Sequence, residues 1–280
     1  MRRYARPDSP QGAAVSMHVF QPSRSASALS GMSRLLARAV LDFVYPPRCL
    51  LCDDDMNSAT DATGGHLAFC TDCHAKLCPA TGNECRRCGA PLGPYTVAED
   101  GCPVCIREHF AFDEVIRLGL YRDELRMACL MAKNPAGALL GRALTDLLVE
   151  VKGTVLASHT FDAIVPVPEH WLKRLVRPQY AAETIARELS RRLKVRLATG
   201  ILAKQRWTPK QARSTPGERR QQQRGAFCTS KRISLRGQTV LLVDDILTTG
   251  ATADEAARML KRAGAKRVVV AVLVVSPPTA

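Results

Sequence analysis

The sequence predicts an α/β fold built on a mostly parallel sheet and preceded by a small cysteine-rich module. Three observations carry that expectation. Nine of the 11 cysteines fall between Cys49 and Cys105, and eight of those form Cys-x2-Cys pairs. From Val115 onward, short apolar runs alternate with segments of helical periodicity, the texture of βαβ crossovers. Within that second part, Val240–Thr252 reads VLLVDDILTTGAT: an apolar run, two carboxylates, and a Thr/Gly loop entering a helix.

Composition narrows the function classes. A chain of 280 residues has room for one large domain or a medium one plus a small module. Its 46% hydrophobic content supports an ordinary core, while 5% aromatics argues against a stacking platform for single-stranded nucleic acid. No apolar run approaches the roughly 20 residues of a membrane span. The N-terminus lacks the compact apolar stretch of a secretory signal. A soluble, cytoplasmic protein is expected. The net charge of +14 is concentrated: Lys173–Arg236 holds 18 Lys or Arg against 3 Glu, a balance of +15. That segment calls for an anionic partner.

Taken in order, residues 1–30 are rich in Ser, Arg, Pro and Gln without periodicity and read as a disordered tail. Met32–Val44 suits a short amphipathic helix, with Leu35, Leu36, Val40, Leu41, Phe43 and Val44 apolar, stopped by Pro46 and Pro47. That helix and the cysteine module make up residues 31–110, and the α/β domain 111–280. Strands are expected at Val115–Tyr121, Phe161–Pro168, Thr239–Val243 and Arg267–Val275. Helices are expected at Asp123–Lys133, Gly137–Lys152, Tyr180–Lys194 and Thr252–Ala263. Ile201–Gly225 reads as a long, polar, basic loop.

In the cysteine module, Cys49-x2-Cys52 and Cys70-x2-Cys73 are separated by 17 residues, and Cys85-x2-Cys88 and Cys102-x2-Cys105 by 13. Both are zinc-ribbon spacings. Four thiolates saturate a tetrahedral ion, so two structural zinc ions are expected, without an open catalytic position. Sequential pairing gives two ribbons and interleaved pairing a cross-brace; spacing leaves both open. Cys78, His66 and His74 are reserve ligands at most. Cys129 and Cys228 stand alone and read as small buried apolar residues.

In the Val240–Thr252 string, carboxylates at a strand end can hold vicinal hydroxyls of a ribose. A Gly-containing loop at a helix N-terminus can hold a phosphate. Asp244 and Asp245 take the first role, and Thr248, Thr249, Gly250, Ala251 and Thr252 the second. The blander alternative is a turn, with Thr252 as N-cap. The Pro166-Val167-Pro168 turn ends a strand where open α/β sheets place ligands. Lys204, Arg206, Lys210, Arg213, Arg219 and Arg220 form either a lid over a pyrophosphate or a solvated basic surface.

The string resembles the phosphoribosyl pyrophosphate signature of type I phosphoribosyltransferases. The resemblance implies that Asp244 and Asp245 bind the ribose hydroxyls as the catalytic pair and that Thr248–Thr252 bind the 5-phosphate. It also implies Mg²⁺ on the pyrophosphate. With the eight paired cysteines ahead of it, the Ile164–Pro168 strand, and Trp207-Thr208-Pro209-Lys210-Gln211 with Arg219-Arg220 and Gly225-Ala226-Phe227, the chain resembles the ComF family. That family is linked to DNA uptake in natural competence. Lys173–Tyr180 departs from the family's Arg-Gly-Phe-Asn-Gln stretch, keeping only Gln179. The expected ligand is phosphoribosyl pyrophosphate or a related ribose 5-phosphate. The acceptor of any transfer is unassigned. The rival expectation is a non-catalytic protein that binds single-stranded DNA or docks to DNA-uptake proteins, its phosphate pocket vestigial.

Overall fold

The computed structural model describes residues 46–56, 68–78, 82–93, 96, 102–106, 108–170, 180–206, 216–230 and 233–276. The expected tail, the Met32–Val44 helix, His66, Trp171, Lys173–Gln179, Trp207–Gln211 and Arg213 lie outside them. The chain divides into Met1–Pro47 and Arg48–Ala280, and the elements below all belong to the second unit.

Four parallel strands form the sheet in the order β1-β6-β5-β2. They are β1 (Glu114–Leu120), β2 (Ala163–Pro166), β5 (Thr239–Leu247) and β6 (Arg267–Val275). Val240–Val243 and Val268–Val274 are almost wholly buried on both faces, as a sheet covered on both sides demands. Alternate side chains feed two cores. One, with Leu241, Val243, Val269 and Ala271, packs under α2 (Asp123–Ala132), α3 (Ala138–Ala157) and α4 (Ala181–Leu193). The other, with Val240, Leu242, Val268 and Val270, packs under α6 (Ala251–Arg262). The result is an α/β/α sandwich with crossovers between parallel strands. Among the described residues no helix is long and apolar enough to cross a membrane.

Two expectations need correction. The strand expected to stop at Val243 continues to Leu247, because β6 runs on beside it, pairing Asp244 with Val272 and Leu247 with Val275. On its other side β2 stops at Pro166, opposite Val243. The two carboxylates therefore lie on a strand that has outrun one of its neighbours. Secondly, Ile201–Gly225 is not simply a loop. It holds β3 (Leu202–Lys204) and α5 (Pro216–Gln223), and β3 pairs antiparallel with β4 (Phe227–Thr229). Strands of three residues are too short to display a period of two.

The cysteine module docks on this sandwich. Cys49, Met56, Phe69, Cys73 and Leu77 join the core under α2–α4. The second cysteine segment meets β1 through the bond from Val115 N–H to Arg86 O, 2.8 Å. It is also held by buried ions. Glu84 lies 2.6 Å from Lys152 of α3 and 3.3 Å from Arg117 of β1. Glu114, 4% exposed, faces Arg86, Arg267 and His159. Buried carboxylates left without such partners cost several kcal/mol each. Three of these contacts, Glu84–Lys152, Glu84–Arg117 and Arg86–Glu114, join the module to the sandwich.

Candidate functional site

The cysteines pair sequentially. The sulfurs of Cys49, Cys52, Cys70 and Cys73 lie within 4.8 Å of one another, as do those of Cys85, Cys88, Cys102 and Cys105. The two knuckles are built alike. Arg48 bridges Asp55 around the first, Glu84 bridges Pro91 around the second, and each turn closes through a left-handed residue, Asp53 (φ 62°) or Gly89 (φ 71°). The matching amide bonds run from Asp53 N–H to Cys49 O and from Gly89 N–H to Cys85 O. Cys70 caps α1 (Thr71–Leu77), which places Cys73 on its first turn.

The donors fit zinc. Sulfur separations of 3.6–3.8 Å in the second cluster are far beyond a disulfide. They match the roughly 3.8 Å edge of a tetrahedron with zinc–sulfur bonds of about 2.3 Å. Protonation behaviour agrees. Burial opposes ionisation of Cys49, yet the amides of Cys52, Cys70 and Leu51 pull its thiol down to about 7. Similar amides lower Cys85 against burial. In the same clusters burial pushes Cys105 up to about 11 and drives Cys73 and Cys88 higher. Collecting four thiolates there requires a cation to displace the protons. The reserve ligands stand aside: His74 faces Glu150 of α3 at 3.3 Å, and Cys78 is half-buried outside the cluster. Cys129 is buried as expected, whereas Cys228 on β4 is only partly so.

In the α/β part of the chain, β5 delivers Asp244 and Asp245 beside the Pro166–Pro168 turn, whose Val167 N–H bonds Val243 O at 2.8 Å. Tyr180 donates its hydroxyl to Val167 O at 2.6 Å and anchors that turn. The carboxylates are half-buried and each accepts the next amide: Asp244 Oδ1 from Asp245 N–H at 2.9 Å, Asp245 Oδ1 from Ile246 N–H at 2.8 Å. Burial, and then the charge of Asp245, push the Asp244 carboxyl above its ordinary range. Thr248 is exposed, and Thr249 and Thr252 are partly so.

The helix begins one residue earlier than expected, at Ala251, with Gly250 as N-cap at φ 76° and no side-chain cap bond. Thr252 is therefore a helical residue rather than a cap, and the first amides of α6 are left to other acceptors. A Cβ on Gly250 would lie 3.0 Å from Phe110 Cε1, so the Gly250 loop rests on an aromatic ring. That ring packs against the second cysteine cluster and stacks on Phe112 at 4.6 Å. Asp254 in the first turn of α6 accepts Ala111 N–H at 2.6 Å, and Glu255 accepts Gly225 N–H at 2.8 Å. Sequence reasoning missed these supports, because each joins segments 30 to 143 residues apart.

The cations of the expected lid are partly accounted for. Arg206 donates to the carbonyls of Gln222 and Arg224, and Lys204 lies 5.3 Å over the Phe227 ring. Both brace the β3–β4 ribbon and α5. Lys210 and Arg213 lie outside the described residues, as do the side chains of Arg219 and Arg220. One cation that the sequence did not single out reaches the acid pair: Lys133, just after α2, has Nζ 3.0 Å from Asp245 Oδ2.

Comparison with known proteins agrees with both halves. Residues 40–107 match the double zinc ribbon domain and residues 174–279 the phosphoribosyl transferase domain. Competence protein F of Haemophilus influenzae is 24% identical over 225 residues, covering 79% of this chain and 93% of its own length. DNA utilization protein YhgH of Escherichia coli O157:H7 is 25% identical over 212 residues, covering 73% and 88%. Among solved structures, the glutamine phosphoribosylpyrophosphate amidotransferase of B. subtilis superposes over 52% of this chain and 30% of its own, at 21% identity. Its TM-score of 0.34 is too low to bear on the site. A double zinc ribbon match ahead of a phosphoribosyl transferase match in one chain, with relatives aligned over most of their own length, agrees with the resemblance to the ComF family.

Proposed function

We propose that the protein binds phosphoribosyl pyrophosphate, with Mg²⁺ on the pyrophosphate, and serves the uptake or use of DNA. One observation carries the ligand: two adjacent carboxylates sit on β5 just before a left-handed Gly250 that opens onto a helix without a side-chain cap. Asp244 and Asp245 accept the ribose hydroxyls. Thr248, Thr249 and Thr252 with the amides of Gly250 and Ala251 hold the 5-phosphate. The helix dipole adds roughly 0.3–1 kcal/mol for an exposed anionic charge and more where it is partly buried. The role in DNA uptake is supported by the names of the two relatives. Residues 31–110 form the ribbon module and 111–280 the binding domain, working in the reducing cytoplasm where eight thiols can hold two structural zinc ions.

The proposal is of binding; transfer to an acceptor is a separate claim that no described residue carries. For the rival, a protein that binds single-stranded DNA or docks to the uptake machinery, two cations of the basic segment are already engaged: Lys204 lies over the Phe227 ring and Arg206 donates to Gln222 O. Calorimetry with phosphoribosyl pyrophosphate and Mg²⁺ tests the reading. The doubly substituted protein, Asp244→Asn with Asp245→Asn, should lose binding while keeping its thermal unfolding transition. Affinity unaltered in that variant would sink the assignment.

A further inference from the structure

The carboxylate of Asp245 is gripped from two sides, and one grip comes from outside the Val240–Thr252 string. Oδ1 accepts the amide of Ile246 at 2.8 Å, and Oδ2 lies 3.0 Å from Lys133 Nζ. Both partners of this ion pair are mostly shielded, at 28% and 22% exposure. That separates it from surface pairs, which contribute little. Burial works against the charge of Lys133, but Asp245 and, more weakly, Asp244 outweigh it and raise the ammonium above its ordinary value.

The turn that delivers Lys133 is tightly built. Asn134 N–H bonds Met131 O at 3.0 Å, and Gly137 N–H bonds Asn134 O at 2.8 Å. A Cβ at Gly137 would lie 2.2 Å from Met131 O, so any other residue there must open the turn. Upstream, α2 is pinned by Leu125, Ala128 and Cys129 in the core. The lysine thus projects from a fixed platform toward one member of the acid pair. Asp244 differs: its carboxylate accepts the Asp245 amide and forms no ion pair with Lys133.

We infer that Lys133 is a positioning residue of the ribose site, holding Asp245 in the rotamer that receives the hydroxyls. Two carboxylates on consecutive residues repel each other, and an unheld Asp245 would swing away to lessen that repulsion. Clamped between an amide and an ammonium, it meets the ligand with its geometry already set, so little side-chain freedom is lost on binding. Lys133 acts through Asp245 and does not touch the ligand. The inference rests on the phosphoribosyl reading of the site.

Calorimetry on the zinc-loaded full chain with Mg²⁺ tests it, comparing the unaltered protein with Lys133→Met and Lys133→Arg. Two probes are used: phosphoribosyl pyrophosphate, and inorganic pyrophosphate, which has no ribose. Lys133→Met should weaken the first about tenfold, the scale of one charge-assisted hydrogen bond, and leave the second within about twofold. Lys133→Arg should restore most of the loss. Should Lys133→Met fail to fold, Lys133→Gln, which keeps a donor without charge, carries the same comparison. Undiminished affinity for phosphoribosyl pyrophosphate overturns the inference alone. Equal loss of both probes also overturns it, by making Lys133 a pyrophosphate contact. No binding to the unaltered protein overturns the phosphoribosyl reading itself, and this inference with it.

Discussion

Gly250→Ala tests the phosphate-type loop where two independent constraints meet. The first is conformational: Gly250 sits at φ 76°, and an L-residue in the left-handed region costs about 1–2 kcal/mol. The second is steric. The new Cβ would stand 3.0 Å from Phe110 Cε1 and 3.4 Å from its Cζ. Phe110 cannot simply slide away, because it stacks on Phe112, which is 2% exposed. Overfilling a tight contact of this kind costs about 1–3 kcal/mol. The combined loss is about 2–5 kcal/mol, or about 4–20 °C in Tm for a folded unit of this size. Scanning calorimetry of the zinc-loaded protein reads it. Phe110→Leu removes the ring edge, so in that background Gly250→Ala should cost only the conformational part. The cycle should therefore show a coupling of about 1 kcal/mol or more. An unaltered Tm in Gly250→Ala would refute the left-handed requirement. Strict additivity would refute the contact between the loop and the ring beside the second ribbon.

Two other expectations concern ions. Because burial and Asp245 raise the Asp244 carboxyl, the folded state holds that proton over a wider range than the unfolded chain. The stability so gained is present in acid and lost as pH rises through the folded value. Asp244→Asn, which keeps the acceptor for the Asp245 amide, should therefore raise Tm near pH 7.5 and do so less near pH 4. A lower Tm at pH 7.5 would contradict this. For the ribbons, a chromophoric chelator should release two zinc ions per chain, with loss of the folded baseline as they leave. Reloading should liberate protons and weaken as pH falls, since Cys105 holds its proton up to about 11 and Cys88 beyond that. A stoichiometry of one, or pH-independent loading, would count against two four-thiolate sites.

How much of this was legible beforehand varies with range along the chain. The two ribbons were visible because their ligands come in local pairs. Their sequential pairing was not, since spacing permits either connection until the chain's path separates Cys49–Cys73 from Cys85–Cys105. The helix after the acid pair was placed within one residue. The length of β5 was misread because Asp244 and Asp245 interrupt its apolar run, while the neighbouring β6 keeps the strand extended to Leu247. β3 and β4 went unseen for want of length.

Lys133 shows the limit most clearly. In sequence it ends an ordinary amphipathic helix, 112 residues before its partner Asp245. No local pattern marks it, and only the packing of α2 against the sheet brings its ammonium to the acid pair. Phe110 is similar, an aromatic near a cysteine pair until the fold lays it under Gly250. The sequence by itself determined the chemistry of the parts: eight thiolates in four pairs, two carboxylates after an apolar run, and a glycine-containing loop leading into a helix. These are properties of adjacent residues, governed by local backbone geometry. The tertiary structure alone decided how the parts are held: which thiolates share an ion, which cation faces which carboxylate, and that one ring buttresses the loop. Those contacts join distant segments, and the energy of burying apolar surface, which sets them, has no local signature.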